Sequence, residues 1–599
     1  MGGNAMKRTP QEIFQRTEWL RKAEYGFFFH FLNPHRTAFE CNNQECPLSQ
    51  KEWDEEVAAF NVDLLAEQLH KLHAGYAFLT VGQNSGYYCS PNAAYDRFLG
   101  LKNGESRCSK RDLIGDFADA LAKYDIPLMV YTTALAPYFD RLAVEKLEAV
   151  PPYEHLSCSN AYRRYQDLIT PDARLGNFHR KWQEIHSEWS IRWGSRVKGW
   201  WVDGAIFTEH VYNQPDEPNG CSFVNSLRAG NPDSLVAMNQ GMFSDACPIN
   251  SQWNDFTAGE VNTPEYGIRK GPLIDGAQYH LLSFIGSSWG KRPWRYTGRQ
   301  LAQITRTVTN NGGVISWDLP FSHEKGIEDD AMALLEEFVK EYQTSKAVFP
   351  KISVDYTAPR ILADGTGIPG KVVIEGNRDP ALKVSWNGKE FAALPSREVK
   401  YALPAVDPTA DLVLEKDGFR CVYPIAAIPE FHWENAWSPE FELRKDGELL
   451  AKLQFAVKNL TLLIRGRVYE EKIIPPRDPQ YLCPSSECSC LVVFTSGKPP
   501  MQTHFFFRPD GHIFSVYDCS LVRTHQDIIY RCGKMENGSY PLEVELPLKL
   551  IRNFDGKRFL LNIAVNASRK DRIVTAILFG GGNKQYVPSY EMAEVYLEN

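Results

Sequence analysis

Gly199-Trp200-Trp201-Val202-Asp203-Gly204 is the stretch on which the reading of this chain turns. From Val197 to Val202 the sequence is short, apolar and aromatic, the pattern of a strand buried on both faces, and it stops at an acid followed by glycine. A carboxylate is thereby expected at the C-terminal end of a strand. In parallel α/β folds that edge gathers the loops and the chemistry. The competing reading is local, since Asp-Gly also opens turns and Asp caps helices. The flanking segments decide between them.

Upstream, Glu24 to Phe31 reads as a first buried strand with His30 near its C-terminal end. A helix follows, with Asn61 as its cap, Leu65, Leu69 and Leu72 on one face, and Gly75 as its stop. Tyr76 to Val81 is a second strand, leaving through the polar loop Gly82-Gln83-Asn84-Ser85-Gly86-Tyr87-Tyr88. Ser109 is the expected cap of a helix marked by Leu113, Phe117, Leu121 and Tyr124, ahead of a strand from Ile126 to Tyr131. A helical pattern over Phe178 to Trp193 leads into the strand that ends at Asp203. Downstream, Leu235 to Asn239, Trp253 to Phe256, Tyr279 to Phe284 and Gly313 to Trp317 read as four further strands, the second and third of them weak. Helices are expected at Arg299 to Thr309 and Asp329 to Tyr342. Strands alternating with helices at these spacings predict an α/β fold, a (β/α)8 TIM-like barrel over residues 1–347 with inserted loops.

From about Val348 a period of two takes over and turn signals recur, as at Trp386-Asn387-Gly388-Lys389. Two β-sandwich domains are expected after the barrel, a small one over 348–429 and a larger one over 430–599. A chain of 599 residues is too long for one core, and roughly two to four domains are expected from ordinary domain size.

Composition narrows the function classes. A net charge of -8 gives no basic face for nucleic acid. No apolar run approaches the roughly 18 residues of a membrane span, so no membrane partner is expected. The opening Met1-Gly2-Gly3-Asn4-Ala5-Met6 carries no visible signal peptide. The compartment is left open: periplasmic or extracellular if a secretion signal ahead of Met6 has been removed, otherwise cytoplasmic. Thirteen cysteines form no dense framework, and neither Cys41 and Cys46 nor Cys483, Cys488 and Cys490 has a second pair at zinc-ribbon spacing. They read as plain thiols or an occasional disulfide, and no metal or cofactor is expected. Fourteen Trp, 27 Tyr and 33 Phe suit a protein that packs rings against the C-H faces of sugars, though large cores use them too.

The polar residues at expected strand ends are His30, Gln83, Asn84, Tyr131, Asp203, Asn239, Asp255, Glu260, His280 and Asp318 beside Trp317. Each alone has an ordinary structural explanation. Together they are expected to converge on one barrel mouth, where carboxylates from different strands among aromatic walls describe a glycosidase pocket.

Gly26-Phe27-Phe28-Phe29-His30-Phe31, Gly199 to Gly204, Thr263-Pro264-Glu265, Gly286-Ser287-Ser288-Trp289-Gly290 and Asn310 to Trp317, taken in order, resemble the motif series of the α-L-fucosidases of glycoside hydrolase family 29. The resemblance runs from Tyr25 to Phe338. It implies a (β/α)8-like barrel, an oligosaccharide or glycoconjugate substrate, and a retaining mechanism in which Asp203 is the nucleophile. For the acid/base it offers Glu265 and Glu260, with Glu265 ranked first. His280 occupies a second location used by the family for this acid and is expected to line the pocket. Substrate contacts are expected from His30, Gln83, Asn84, Tyr131, Trp201, His280, Trp289 and Trp317.

The chain departs from the family after its first two strands: the usual histidine-tryptophan pair is His30-Phe31, a later tryptophan is Ser90, and one whole element is replaced. Family members carry Lys-His-His-Asp-Gly-Phe after the second strand, where this chain has Gly82 to Tyr87. Gln83 and Asn84 still donate and accept hydrogen bonds, but the histidines that grip fucose hydroxyls are gone. Three functions follow: a fucosidase, a glycosidase of the same fold with another specificity, or a non-catalytic carbohydrate-binding protein. The region after Pro429, ending in Tyr540-Pro541-Leu542-Glu543-Val544-Glu545-Leu546-Pro547-Leu548, resembles a family 9-type carbohydrate-binding module, in which Trp433, Trp437 and Tyr530 are candidates for stacking on a sugar.

Overall fold

The computed structural model describes residues 8–33, 48–102, 104–149, 175–205, 212, 214–239, 253–268, 271–274 and 276–349 of a first compact unit, which ends at Pro350. In a second unit, from Lys351 onward, it describes 353–362, 366–376, 379–391, 398–404, 411–425, 427–433, 437–475, 488–497, 502–517, 520–522, 527–579 and 592–597.

The first unit is built on parallel strands. They are β1 (Tyr25–Phe29), β2 (Ala77–Thr80), β3 (Leu128–Thr133), β4 (Val197–Asp203), β5 (Leu235–Met238), β8 (His280–Phe284) and β9 (Val314–Asp318), with a short antiparallel pair, β6 (Leu273–Ile274) and β7 (Ala277–Gln278), before β8. The seven run in the order β5-β4-β3-β2-β1-β9-β8, with every pairing parallel. Residues 255–261 bridge the two edge strands. On one side the Asp255 N–H donates to Val236 O, and on the other the N–H groups of Leu282 and Val261 bond to Gly259 O and Leu282 O. Gly259 makes the bridge possible. Its φ is +66°, and a Cβ there would fall 2.0 Å from the His280 carbonyl oxygen. One apolar cluster draws on every strand of this sheet and on the bridge: Phe28, Phe78, Met129, Tyr131, Trp201, Leu235, Ala237, Phe256, Ala258, Leu282 and Val314.

Helices cover the outer faces, and their ends follow from local chemistry. Asn61 caps Val62–Lys71 through the Leu64 N–H, as expected. The next helix is Leu113–Ala122, and its cap is Asp112 rather than Ser109, whose hydroxyl instead donates to Arg111 O. A carboxylate three residues ahead of Gly115 satisfies a free N–H that Ser109 is too far back to reach. Gly176–Trp193, Gly298–Asn310 and Asp329–Val348 complete the helices expected from the sequence.

The second unit is almost entirely antiparallel sheet. A three-stranded sheet joins Ser353–Thr357, Gly370–Glu375 and Glu398–Leu403, and a four-stranded one joins Lys383–Trp386, Lys389–Glu390, Asp411–Lys416 and Phe419–Pro424. A ten-stranded sheet, which takes in Arg360–Leu362 and Gly367–Ile368 as well as later strands, shares one apolar core with a five-stranded sheet; in it Leu453, Leu462 and Val544 of the smaller sheet join Val493, Leu561 and Val595 of the larger. The boundary expected at 429 and 430 runs through the strand Ile428–Trp433, which pairs with Arg360–Leu362. Among the described residues no helix is long and apolar enough to cross a membrane, and no His/Cys/Asp/Glu cluster is placed to hold a metal ion. Cys488 and Cys490 are buried thiols, whereas Cys41, Cys46 and Cys483 lie outside the described residues.

Three histidines are locked inside these cores. Burial pushes His186, His280 and His504 down to about 4 from the usual 6.5. The unfolded chain binds a proton at each near pH 6.5, whereas the folded chain refuses it until about pH 4. Their contribution to stability is therefore complete above pH 6.5, declines as pH falls, and is gone below about 4. Each is worth up to about 3 kcal/mol over that range. Urea midpoints measured from pH 7 to pH 4.5 should fall steadily, and a flat profile would contradict the assignment.

Candidate active site

Alternation along β4 builds the centre of the site. Trp200 points to one face, its ring 5.6 Å from that of Trp193, while Trp201 points into the apolar cluster on the other and Asp203 follows it at the strand's end. The Trp201 indole N–H donates to Ala258 O at 2.9 Å, and its ring stacks on Tyr131 at 5.5 Å with the planes 19° apart. Gly204 then turns the chain away with φ +65°.

Among the described residues, three groups donate to the Asp203 carboxyl. Its Oδ1 accepts from the Gly204 N–H at 2.8 Å and from Asn239 Nδ2 at 2.9 Å, and its Oδ2 accepts from the Tyr131 hydroxyl at 2.6 Å. The Tyr131 oxygen in turn accepts from Gln83 Nε2 at 2.5 Å. Burial, and then the charge of Asp203, push the Tyr131 phenol well above its usual 10, which keeps it a donor at any working pH.

Asn239, at the exit of β5, joins two acids. The same Nδ2 donates to Glu260 Oε2 at 2.6 Å. Two bonds of 2.9 and 2.6 Å from one nitrogen place Asp203 Oδ1 and Glu260 Oε2 at most about 5.5 Å apart. Glu260 arrives there on the bridge of residues 255–261, pairing with Leu282 of β8.

The opposite wall comes from β1, β9 and the loop after β8. His30 Nδ1 lies 2.6 Å from Asp318 Oδ1, and Asp318 Oδ2 accepts from the Gly290 N–H at 2.6 Å. Asp318 is fully buried, whereas His30 keeps about a fifth of its side chain open. The His30 ring lies 5.9 Å from Tyr131 and 6.0 Å from Trp289, and Trp289 leans on Phe284. Asn84 is half-buried, and its carbonyl accepts from the Phe139 N–H.

Several expected site residues sit elsewhere. His280 is fully buried with both nitrogens engaged, Nδ1 3.0 Å from Thr257 O and Nε2 2.8 Å from Ser316 Oγ, so it has no donor to offer a sugar. Trp317 faces the helix layer, where its indole N–H donates to Thr305 Oγ1, because alternation along β9 turns Ser316 and Asp318 inward instead. Asp255 lies beside Val236, near the start of β5, in ion pairs with Arg8, Arg16 and Arg228. It belongs to the base of the strands, not to their mouth. The Glu265 side chain lies outside what the structure describes, its backbone forming part of the turn Pro264–Gly267.

The roles of Asn239 and Asp318 were not legible beforehand. Both stood among the polar strand ends, but only the register of β4, β5 and β9 reveals which carboxylate or imidazole each one touches. For Asp318 a signal existed, because strict alternation from Val314 separates it from Trp317.

No family model matches the chain, and neither does any curated protein sequence. Among solved structures it is similar to the unliganded α-L-fucosidase AlfC from Lactobacillus casei, at 14% identity over 55% of this chain and 99% of that one, with a TM-score of 0.40. It is also similar to an endo-fucoidan hydrolase of glycoside hydrolase family 107, at 11% identity over 98% of this chain and 99% of that one, with a TM-score of 0.41. A second endo-fucoidan hydrolase of that family is 16% identical over 55% of this chain and 94% of that one, with a TM-score of 0.38. Likenesses this distant leave the activity to be argued from the side chains themselves.

Proposed function

We propose that the first unit is a (β/α)8-type barrel, its eighth strand the irregular bridge, acting as a retaining glycosidase on a terminal α-L-fucoside or a related sugar. The observation that carries this is the single Asn239 nitrogen bonded to both Asp203 and Glu260. Retaining enzymes need their two carboxyl groups about 5 to 5.5 Å apart, close enough for one to attack carbon directly, whereas inverting enzymes leave room for a water.

In this reading Asp203 Oδ2, which carries one donor where Oδ1 carries two, attacks the anomeric carbon. The bond to the leaving oxygen breaks as Glu260 gives that oxygen its proton. Water then attacks the same carbon, passing a proton back to Glu260, and the electrons of the ester bond return to Asp203. Glu260 takes the acid/base role ahead of Glu265 because it shares a hydrogen-bond partner with the nucleophile.

The test follows the first-formed anomer by NMR while the full chain hydrolyses a panel of aryl glycosides that includes the α-L-fucoside. Retention is expected, and inversion would overturn the mechanism. Glu260→Gln should lower turnover of substrates with poor leaving groups about 100- to 10,000-fold and remove the basic limb of the pH profile. If Glu265→Gln does this instead, the acid is Glu265.

A second reading keeps the mechanism and changes the sugar. It is favoured by Gln83, whose amide nitrogen is turned onto Tyr131. Activity on another glycoside with none on the fucoside would establish it, and binding without turnover of any activated glycoside would leave a carbohydrate-binding protein. We extend the proposal to residues 430–599 as a β-sandwich of the carbohydrate-binding kind. Support comes from Trp437, more than a third exposed and backed by the Arg465 guanidinium 4.0 Å from its ring. Tyr530 packs on the apolar core instead, and the Trp433 side chain lies outside the described residues.

A further inference from the structure

A phenolic hydroxyl has one proton and can serve either of two neighbouring acceptors. The Tyr131 ring has little freedom of its own, stacked on Trp201 and met edge-on by Phe28 at 5.7 Å. What remains adjustable is the rotation of the O–H bond. The groups around it are the Asp203 and Glu260 carboxyls, the His30 ring 5.9 Å away, and the Gln83 amide at 2.5 Å. Gln83 presents N–H, so the hydroxyl oxygen must accept on that side and its proton is directed to Asp203 Oδ2.

We propose that Gln83 is a positioning residue for the reaction at Asp203: its amide fixes the Tyr131 hydroxyl as a donor to the nucleophile. This rests on the reading of Asp203 as nucleophile. Gln83 sits just beyond β2, Tyr131 on β3 and Asp203 at the end of β4, so three neighbouring strands supply one linear chain of hydrogen bonds. The chain moves no proton. During attack it keeps Oδ2 oriented, and when the ester bond breaks it meets the electron pair returning to Asp203 with a donor already in place. A side chain at 83 with only acceptors would leave the hydroxyl divided between two carboxylates, and the donor would be lost when charge returns.

Three variants of the full chain test this. Gln83→Glu keeps the shape and removes the donor. It should lower kcat about 100-fold with KM within about threefold of the parent, and move the acidic limb of the kcat/KM profile to higher pH. Gln83→His restores an N–H and should recover most of kcat, while Gln83→Leu should fall between the two. A readout independent of turnover is the fluorine resonance of 3-fluorotyrosine placed at position 131. It should shift in Gln83→Glu and return toward the parent in Gln83→His. A rise in KM with kcat and the pH profile unchanged would overturn the proposal and make Gln83 a direct sugar contact. Absence of turnover in the parent chain would refute the glycosidase reading alone. In that case a fluorine resonance unmoved by Gln83→Glu would still refute the role given to Gln83.

Discussion

Asp203→Asn should leave the chain folded and lower turnover of an activated aryl glycoside by about 10,000-fold or more, the scale on which loss of a nucleophile is felt. The substitution keeps the size of the side chain and removes its ability to form the glycosyl ester. It also sets an amide among donors, because Gly204, Asn239 and Tyr131 all use Asp203 as an acceptor. Asp203→Gly goes further and opens a space beside the anomeric carbon. A small anion such as azide, entering from the face that Asp203 occupied, should then restore part of the turnover and yield a glycosyl azide of inverted configuration. Activity within tenfold of the parent in Asp203→Asn, with an unchanged melting curve, would remove Asp203 from the mechanism.

The second large effect is expected on stability, at the other end of the strands. Asp255 is fully buried and holds Arg8 at 2.8 Å, Arg16 at 3.3 Å and Arg228, while its Oδ2 accepts from the Val236 N–H. Arg228 is itself mostly buried, and that burial outweighs the attraction of Asp255 and pulls the guanidinium down to about 10. Asp255→Ala leaves this cation without its counter-charge. Breaking a buried pair from one side costs about 3–5 kcal/mol, because the remaining charge stays desolvated. The melting transition of the first unit should fall by roughly 5–10 °C. A change under about 1 kcal/mol would mean that the three arginines find water instead.

The sequence carried the frame of the first unit because its strands are buried on both faces. Runs such as Phe27 to Phe29 and Trp200 to Val202 have no polar interruption, and the helices between them begin at side chains that can cap. Legibility failed where backbone departs from regular geometry. Residues 255–261 have no alternation to read, and a glycine of positive φ lies among them, so Asp255 and Glu260 looked like neighbours at one mouth when they occupy opposite ends. His280 failed for a different reason. Nothing local distinguishes a histidine that lines a pocket from one whose partners, Thr257 on the bridge and Ser316 on β9, lie far away in sequence. Within the site, Asp203, Tyr131, Gln83 and His30 were legible as polar strand exits, while the contacts that give them order span up to 288 residues of sequence.

Asp255 and Glu260 share one short run of chain, with the arginine clamp at its start and the Asn239 bond at its finish. Gly259, just before that finish, passes so close to the His280 carbonyl that a Cβ would strike it. One stretch of backbone therefore joins the proposed acid/base, Glu260, to an ion cluster at the base of the strands. If that tie governs the proposed chemistry, Asp255→Ala should lower the temperature at which activity fades by more than it lowers the melting point, and equal shifts would contradict it. On that expectation, heat tolerance is a property to adjust at the base of the strands rather than at the pocket.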